Sequence, residues 1–231
     1  MDNSTAKKTV TELDVVARET GLGEFIVKYR VAFITFVGLL MLSVVGYGLY
    51  SKYKASVASE MDKIIFDYTK SSLQDFKDGK SDADKLVGSF NALQEKIKNY
   101  DGGIAITAET ADLLVEKNNL DQALLIAKRG HEKYAKNNAY TNYFLSVRLA
   151  AIYEDLGKTA EAISLLEGLQ TSAVKLLESK TYLDLGRLYY NIGNMEKAKV
   201  NLEYLVGHFN QDEFAKVGKL ILDEINKKAV K

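Results

Sequence analysis

The chain has 231 residues, 47% of them hydrophobic, and its 31 basic side chains are matched by 31 acidic ones. There is enough apolar material for a real core, while the charge balance lacks the cationic excess that counterion release at a phosphate backbone requires, which argues against nucleic acid as a partner. No cysteine means no disulfide, thiolate nucleophile, thiolate zinc site or lipidated cysteine; no proline, together with frequent Leu, Ala, Lys and Glu, favours helices throughout.

Residues 1–30 carry Val10, Leu13 and Val16 at helical spacing and then glycines at 21 and 23, which predicts a short helix and a turn, either a partly ordered tail or a docking segment. From Val31 to Ser51, "VAFITFVGLLMLSVVGYGLYS", 21 consecutive residues carry no charge. At about 1.5 Å per residue such a helix covers the roughly 30 Å hydrocarbon core, so residues 31–51 are expected to cross a bilayer. Lys28 and Arg30 stop the run on one side and Lys52 and Lys54 on the other, with Tyr29, Tyr47, Tyr50 and Tyr53 at headgroup depth. The alternatives are a cleaved signal and a buried core helix. The run is longer than the apolar region of a signal, and only "ASVAS" follows as a cleavage candidate.

Flanking charge does not orient the span, since Arg18, Lys28 and Arg30 face Lys52, Lys54, Lys63 and Lys70. A long C-terminal domain is translocated largely regardless of charge, so the expectation is a cytoplasmic N-terminus with everything beyond the span outside the cytoplasm.

Residues 52–103 are expected to form a helical linker and the first helices of the soluble part. Val57, Met61, Ile64, Ile65 and Tyr68 make one apolar stripe, and Leu86, Phe90, Leu93 and Ile97 another. Ser81, with Asp84 three residues on, is placed to cap the second helix, and "NYDGG" to stop it.

Residues 104–209 repeat themselves. Aligning Gly193 with Gly157 superposes Leu185 on Leu149, Gly186 on Ala150, Tyr189 on Tyr153, Ala198 on Ala162 and Leu202 on Leu166, all displaced by 36 residues. A fainter copy, Ala111, Leu114, Asn118, Ala123 and Ala127, lies 39 residues before the middle one. The small residue at Ala150 or Gly186 lets two helices approach, the tyrosine fills the gap, and Asn118, Gly157 and Gly193 supply the left-handed backbone of a tight turn. Tyr182, Leu185, Gly186, Tyr189, Gly193 and Ala198 resemble the tetratricopeptide repeat, with Tyr182 in place of its tryptophan; the periods are longer than usual and the closing proline is missing. The resemblance implies an all-α architecture: a transmembrane helix, then an α-solenoid of helical hairpins. Residues 210–231, with Phe214, Val217, Leu220, Ile221 and Ile225 in one stripe, are expected to cap it, the alternative being a free amphipathic helix.

In such stacks the other face of each unit's first helix lines a groove. That places Phe144, Val147, Arg148, Ala151, Leu183, Arg187, Tyr190 and Asn191 as the expected protein-binding surface, with arginines orienting polar groups and aromatics giving contact area.

No catalytic, metal or cofactor site is expected. "GKS" at Gly79 and "GKT" at Gly157 lack the preceding strand, and Gln74 and Ile152 stand where a phosphate loop needs glycine. His131 and His208 are the only histidines; His208 with Asp212 and Glu213 makes a poor ligand set, and Glu109, Asp112 and Glu116 read as a solvated face.

One N-terminal span followed by a short helical region and a small repeat array is similar to the YfgM-like family of ancillary subunits of the bacterial SecYEG translocon, with the likeness running from about Leu13 to the end. The resemblance implies an inner-membrane protein with a cytoplasmic N-terminus and a periplasmic repeat domain. It also implies partnership with SecYEG and a periplasmic chaperone of the PpiD type, in handling newly exported proteins. A scaffold subunit of another envelope assembly, for secretion or division, shares every sequence feature named.

Overall fold

The computed structural model describes residues 29–229, so the expectations for Val10, Leu13, Val16, Lys28 and the early glycines lie outside it. The chain divides into two compact units, Met1–Ala58 and Ser59–Lys231. Helix α1, Arg30–Tyr68, contributes to both.

In the first unit α1 carries the apolar run with its side chains exposed on every side, Val31, Leu40, Leu42 and Tyr47 among them. The most apolar 18-residue window of the helical run Val31–Lys77 has mean hydropathy 2.1 and none of it is buried, so this helix is long and apolar enough to cross a membrane. Two of its hydroxyls are satisfied within the helix. Thr35 Oγ1 donates to the Val31 carbonyl and Ser43 Oγ to that of Leu39, each at 2.9 Å, the local bonding a hydroxyl needs in an apolar solvent.

In the second unit the rest of α1 passes through a π-helical turn, Thr69–Leu73, into the short α2, Gln74–Lys77. The chain then folds into α3 Ala83–Ile97, α4 Gly102–Glu116, α5 Leu120–Tyr134, α6 Ala139–Asp155, α7 Thr159–Gln170, α8 Glu178–Asn191, α9 Met195–His208 and α10 Glu213–Ala229. Helices α4 and α5, α6 and α7, and α8 and α9 pack as hairpins, and α10 lies against α8 and α9. All described regular elements are helical.

The turns follow the glycine reading. Gly157 and Gly193 have φ of +71° and +80°, and Asn118 takes the same left-handed region at +58°. Gly79, between α2 and α3, has φ +73°. It lies 39 residues before Asn118, so the hairpin-type turn occurs once more than the sequence alignment found. The first pairing hides because it rests on large side chains: Tyr68 and Phe90 meet edge to face with centroids 6.3 Å apart, where the later hairpins use alanine and glycine.

Two adjoining cores hold the unit. One joins Tyr68, Leu73 and Phe76 to α3, α4, α5 and part of α6; the other joins α6 to α10 through Ala150, Leu166, Leu185 and Leu202. Leu185, Ala162, Ala198 and Leu202 are fully buried, and Tyr153 packs against both cores. A methyl group on Gly186 would sit 2.5 Å from Leu202 Cδ2, so α8 and α9 touch at distances only glycine allows. Ala111, Leu114, Ala123 and Ala127 of the faint copy are all buried.

Three local expectations are corrected. Asp82, not Ser81, caps α3: its Oδ1 accepts from Lys85 N at 2.7 Å, because it is the extended residue immediately before the helix and its carboxylate is the stronger acceptor. The glycines of "NYDGG" do not stop α3, which ends at Ile97 with Lys98 at φ +48°. They open α4, where a side chain on Gly103 would come within 2.1 Å of Tyr134 Oη. Finally, Val217 and Leu220 are not on the buried stripe of α10, being 47% and 69% exposed. The packed face is Ala215, Gly218, Leu222 and Ile225, since Gly218 lies so close to Leu205 that a Cβ would stand 2.7 Å from its Cδ2.

Candidate protein-binding groove

The first helices of two hairpins, α4 and α6, together with the π-helical turn, α2 and the segment before α8, line two recesses that share Ala105 and Phe144. One, of about 730 Å³, is walled by Ile104, Ala105, Tyr140, Thr141, Tyr143, Phe144, Leu176 and Leu177, with Asp101 at its edge. The other, of about 480 Å³, is lined by Thr69, Leu73, Gln74 and Lys77, by Ala108, Glu109, Asp112, Leu113 and Glu116 of α4, and by Arg148.

Local sequence sets these walls. Asn138 caps α6, its Oδ1 accepting from Thr141 N at 2.9 Å, which fixes the first turn that presents Tyr140, Tyr143 and Phe144. Glu109, Asp112 and Glu116 recur at helical spacing on one face of α4. Leu177 precedes α8 in the left-handed region, φ +42° and ψ 50°, a strained conformation for a leucine that leaves it 60% exposed beside the apolar recess.

Polar contacts tie successive first helices together. Arg148 Nε lies 3.2 Å from Asp112 Oδ2, bridging α6 to α4, and its guanidinium carbon stacks 3.9 Å from the centroid of Phe144. Arg187 on α8 holds Glu154 on α6 through both terminal guanidinium nitrogens, with Nη2 to Oε2 at 2.8 Å. That hydrogen bonding holds the Glu154 carboxyl below its usual range and raises Arg187. Tyr190 Oη donates to Glu224 on α10 and accepts from Lys228 Nζ at 2.6 Å.

The eight residues expected at the groove are therefore dispersed. Phe144 borders both large recesses and Arg148 one of them. Val147, Ala151 and Arg187 line a crevice of about 90 Å³ between α6 and α8. Tyr190 is engaged by α10, and Asn191 is exposed at the end of α8. Leu183 is buried in the second core, 8% exposed, because its side chain falls on the packed flank of α8. Both arginines are occupied by carboxylates of the protein itself.

The apolar wall of Ile104, Tyr140, Tyr143 and Leu177 escaped the sequence reading, although three aromatic residues within five positions behind an N-cap asparagine were the available signal. Glu109, Asp112 and Glu116 are solvated as expected and also form a wall of the groove.

His208 Nδ1 donates to the Tyr204 carbonyl at 3.0 Å, while Asp212 accepts from Ser179 Oγ at 2.6 Å and Phe214 N at 3.0 Å. The sequence neighbours of the weak ligand set thus serve helix ends. Among the described residues no cluster of three or more His, Asp or Glu is arranged to hold a metal ion.

The family model of the tetratricopeptide repeat-like domain matches residues 24–226. Among solved structures, the chain is similar to a tetratricopeptide repeat protein from Parabacteroides merdae, at 16% identity and a TM-score of 0.54, covering 72% of this chain and 61% of that one. It thus spans about three fifths of that protein's length. A protein of nearly identical TPR-like repeats from Podosopora anserina gives a TM-score of 0.52 at 16% identity, over 71% of this chain and 85% of the other. At these identities the likeness is one of fold. No curated protein matches in sequence. The hairpins with glycine and asparagine turns and the match across nearly the whole described chain lead to one assignment: the chain belongs to the tetratricopeptide repeat-like domain family.

Proposed function

We propose that the protein is a non-enzymatic, membrane-anchored repeat protein that binds other proteins through the groove of α4, α6 and the segment before α8. The observation that carries this reading is the pairing in one chain of a fully exposed apolar helix with a repeat unit whose first helices leave two open, adjoining recesses. Tetratricopeptide-type stacks bind chains along such faces without turnover, and an anchor raises the groove's effective concentration for partners at the membrane.

In the finer form of this reading, the chain is an accessory of a SecYEG-type translocon, as its resemblance to the YfgM-like family implies. Residues 1–30 lie in the cytoplasm, 31–51 span the inner membrane, and 52–103, the repeats 104–209 and the cap 210–231 face the periplasm. Exported chains and a chaperone of the PpiD type meet the groove at Phe144. The competing role is a scaffold subunit of another envelope assembly.

Photoreactive residues at Leu40 in intact membranes test the finer form. Adducts to channel subunits support it; adducts solely to components of another envelope machine contradict it. Protease added from the periplasmic side should digest the repeat unit, and protection of that unit with digestion of the N-terminal segment would reverse the orientation.

A further inference from the structure

Resting on the reading of the groove as a protein-binding surface, we infer that its occupant is an extended peptide segment that combines an apolar anchor with lysine or arginine a few residues further on, not an acidic tail. Two features of the groove meet in this specification. The larger recess is apolar, with Ile104, Tyr140, Phe144 and Leu177 around a volume that takes a large side chain whole. The adjoining recess is acidic: Glu109 and Glu116 form no ion pair among the described residues, and Asp155 extends the same character beyond them.

The cations available to an acidic ligand are mostly spent. Arg148 is paired with Asp112 and stacked on Phe144, and Arg187 is locked to Glu154. Lys77 is the remaining cation in the lining and is outnumbered by the free carboxylates. A ligand carboxylate would meet that surplus of like charge, whereas a ligand ammonium or guanidinium would be drawn to it.

Helix geometry sets the spacing. At a rise of about 1.5 Å per residue, Glu109 lies about 6 Å and Glu116 about 16 Å along α4 from Ala105, which belongs to the apolar recess. An extended peptide advances about 3.3 Å per residue, so in a peptide running parallel to α4 an anchor seated at Ala105 brings basic residues about two and about five positions later to the two carboxylates.

The test uses the full chain in detergent micelles and fluorescence anisotropy of labelled nine-residue peptides of alanine and serine. One carries a single phenylalanine followed by lysines two and five positions on; its twin has glutamates in place of the lysines. The lysine peptide should bind about tenfold tighter than the twin, lose affinity as salt rises, and bind about tenfold more weakly to the Glu109→Gln/Glu116→Gln double variant. Equal or tighter binding of the glutamate peptide, or an unchanged affinity in the double variant, overturns the inference. So does failure of both peptides to bind. In that last case a photoreactive residue at Phe144 separates the two levels: protein adducts leave the protein-binding reading standing, while lipid adducts alone, or none, remove it as well.

Discussion

Gly186→Ala is the sharpest probe of how the repeats are held. The new methyl would sit 2.5 Å from both Cδ2 and Cγ of Leu202, a side chain with no exposed surface. Relief therefore requires α8 and α9 to separate or a packed leucine to leave its rotamer, and overpacking of this kind costs about 1–3 kcal/mol. Against it stands the helix-propensity gain of alanine over glycine, about 1 kcal/mol. The clash wins because Cγ, not only the mobile methyl, is in the way, and the net expectation is a loss of about 1 kcal/mol. In a Leu202→Ala background, itself costing about 2–5 kcal/mol, the same change at Gly186 should become stabilising. Gly88→Ala, inside α3 with nothing within 4 Å of the added methyl, should gain about 1 kcal/mol. The assay is urea unfolding of the full chain in detergent, with hydrogen exchange of the α8 and α9 amides because repeat arrays open in segments. A neutral or stabilising Gly186→Ala in the wild-type background would refute the close-approach argument.

Other expectations follow from the same structure. Gly157→Ala and Gly193→Ala, at φ +71° and +80°, should each cost about 1 kcal/mol in thermal unfolding, whereas Asn118→Gly, already left-handed, should be neutral or slightly stabilising. Burial holds the His131 imidazole below its usual pKa of 6.5, with Nε2 2.9 Å from Ser146 Oγ. A depressed histidine contributes stability above its unfolded pKa, lost as pH falls through the folded one, so stability should decline as pH falls below the unfolded value of 6.5, and less steeply in His131→Gln. Glu154, lowered by Arg187, should give a second loss at more acidic pH that Arg187→Ala abolishes. Arg148→Ala frees Asp112 and should tighten the lysine peptide severalfold, measured by anisotropy; weakening would instead restore the arginine to direct partner contact.

How much of this was legible in sequence depended on the size of the contacting residues. The apolar run at 31–51 and the hairpins marked by Gly157 and Gly193 were readable because each rests on a single strong signal, an uncharged stretch or an obligatory left-handed turn. The turn at Gly79 escapes the repeat alignment, since the helices around it meet through Tyr68 and Phe90 instead of small residues. In α10 the opposite error arose. Hydrophobicity pointed to Val217 and Leu220, but the helix docks through Ala215 and Gly218, where absence of bulk permits the contact. The groove was half legible: spacing found Phe144 and Arg148, but pairing of Arg148 with Asp112 and of Arg187 with Glu154 joins residues 36 and 33 positions apart, which one sequence does not disclose.

The central claim, that proteins are bound at the face of α4, α6 and the segment before α8, is tested most directly by photocrosslinking in intact membranes from Phe144 and, as a control, from Val200, an exposed residue on α9. The account predicts discrete protein adducts from Phe144 that are absent from Val200 and diminish when Glu109 and Glu116 are neutralised. Equal adduct patterns from both positions would contradict it.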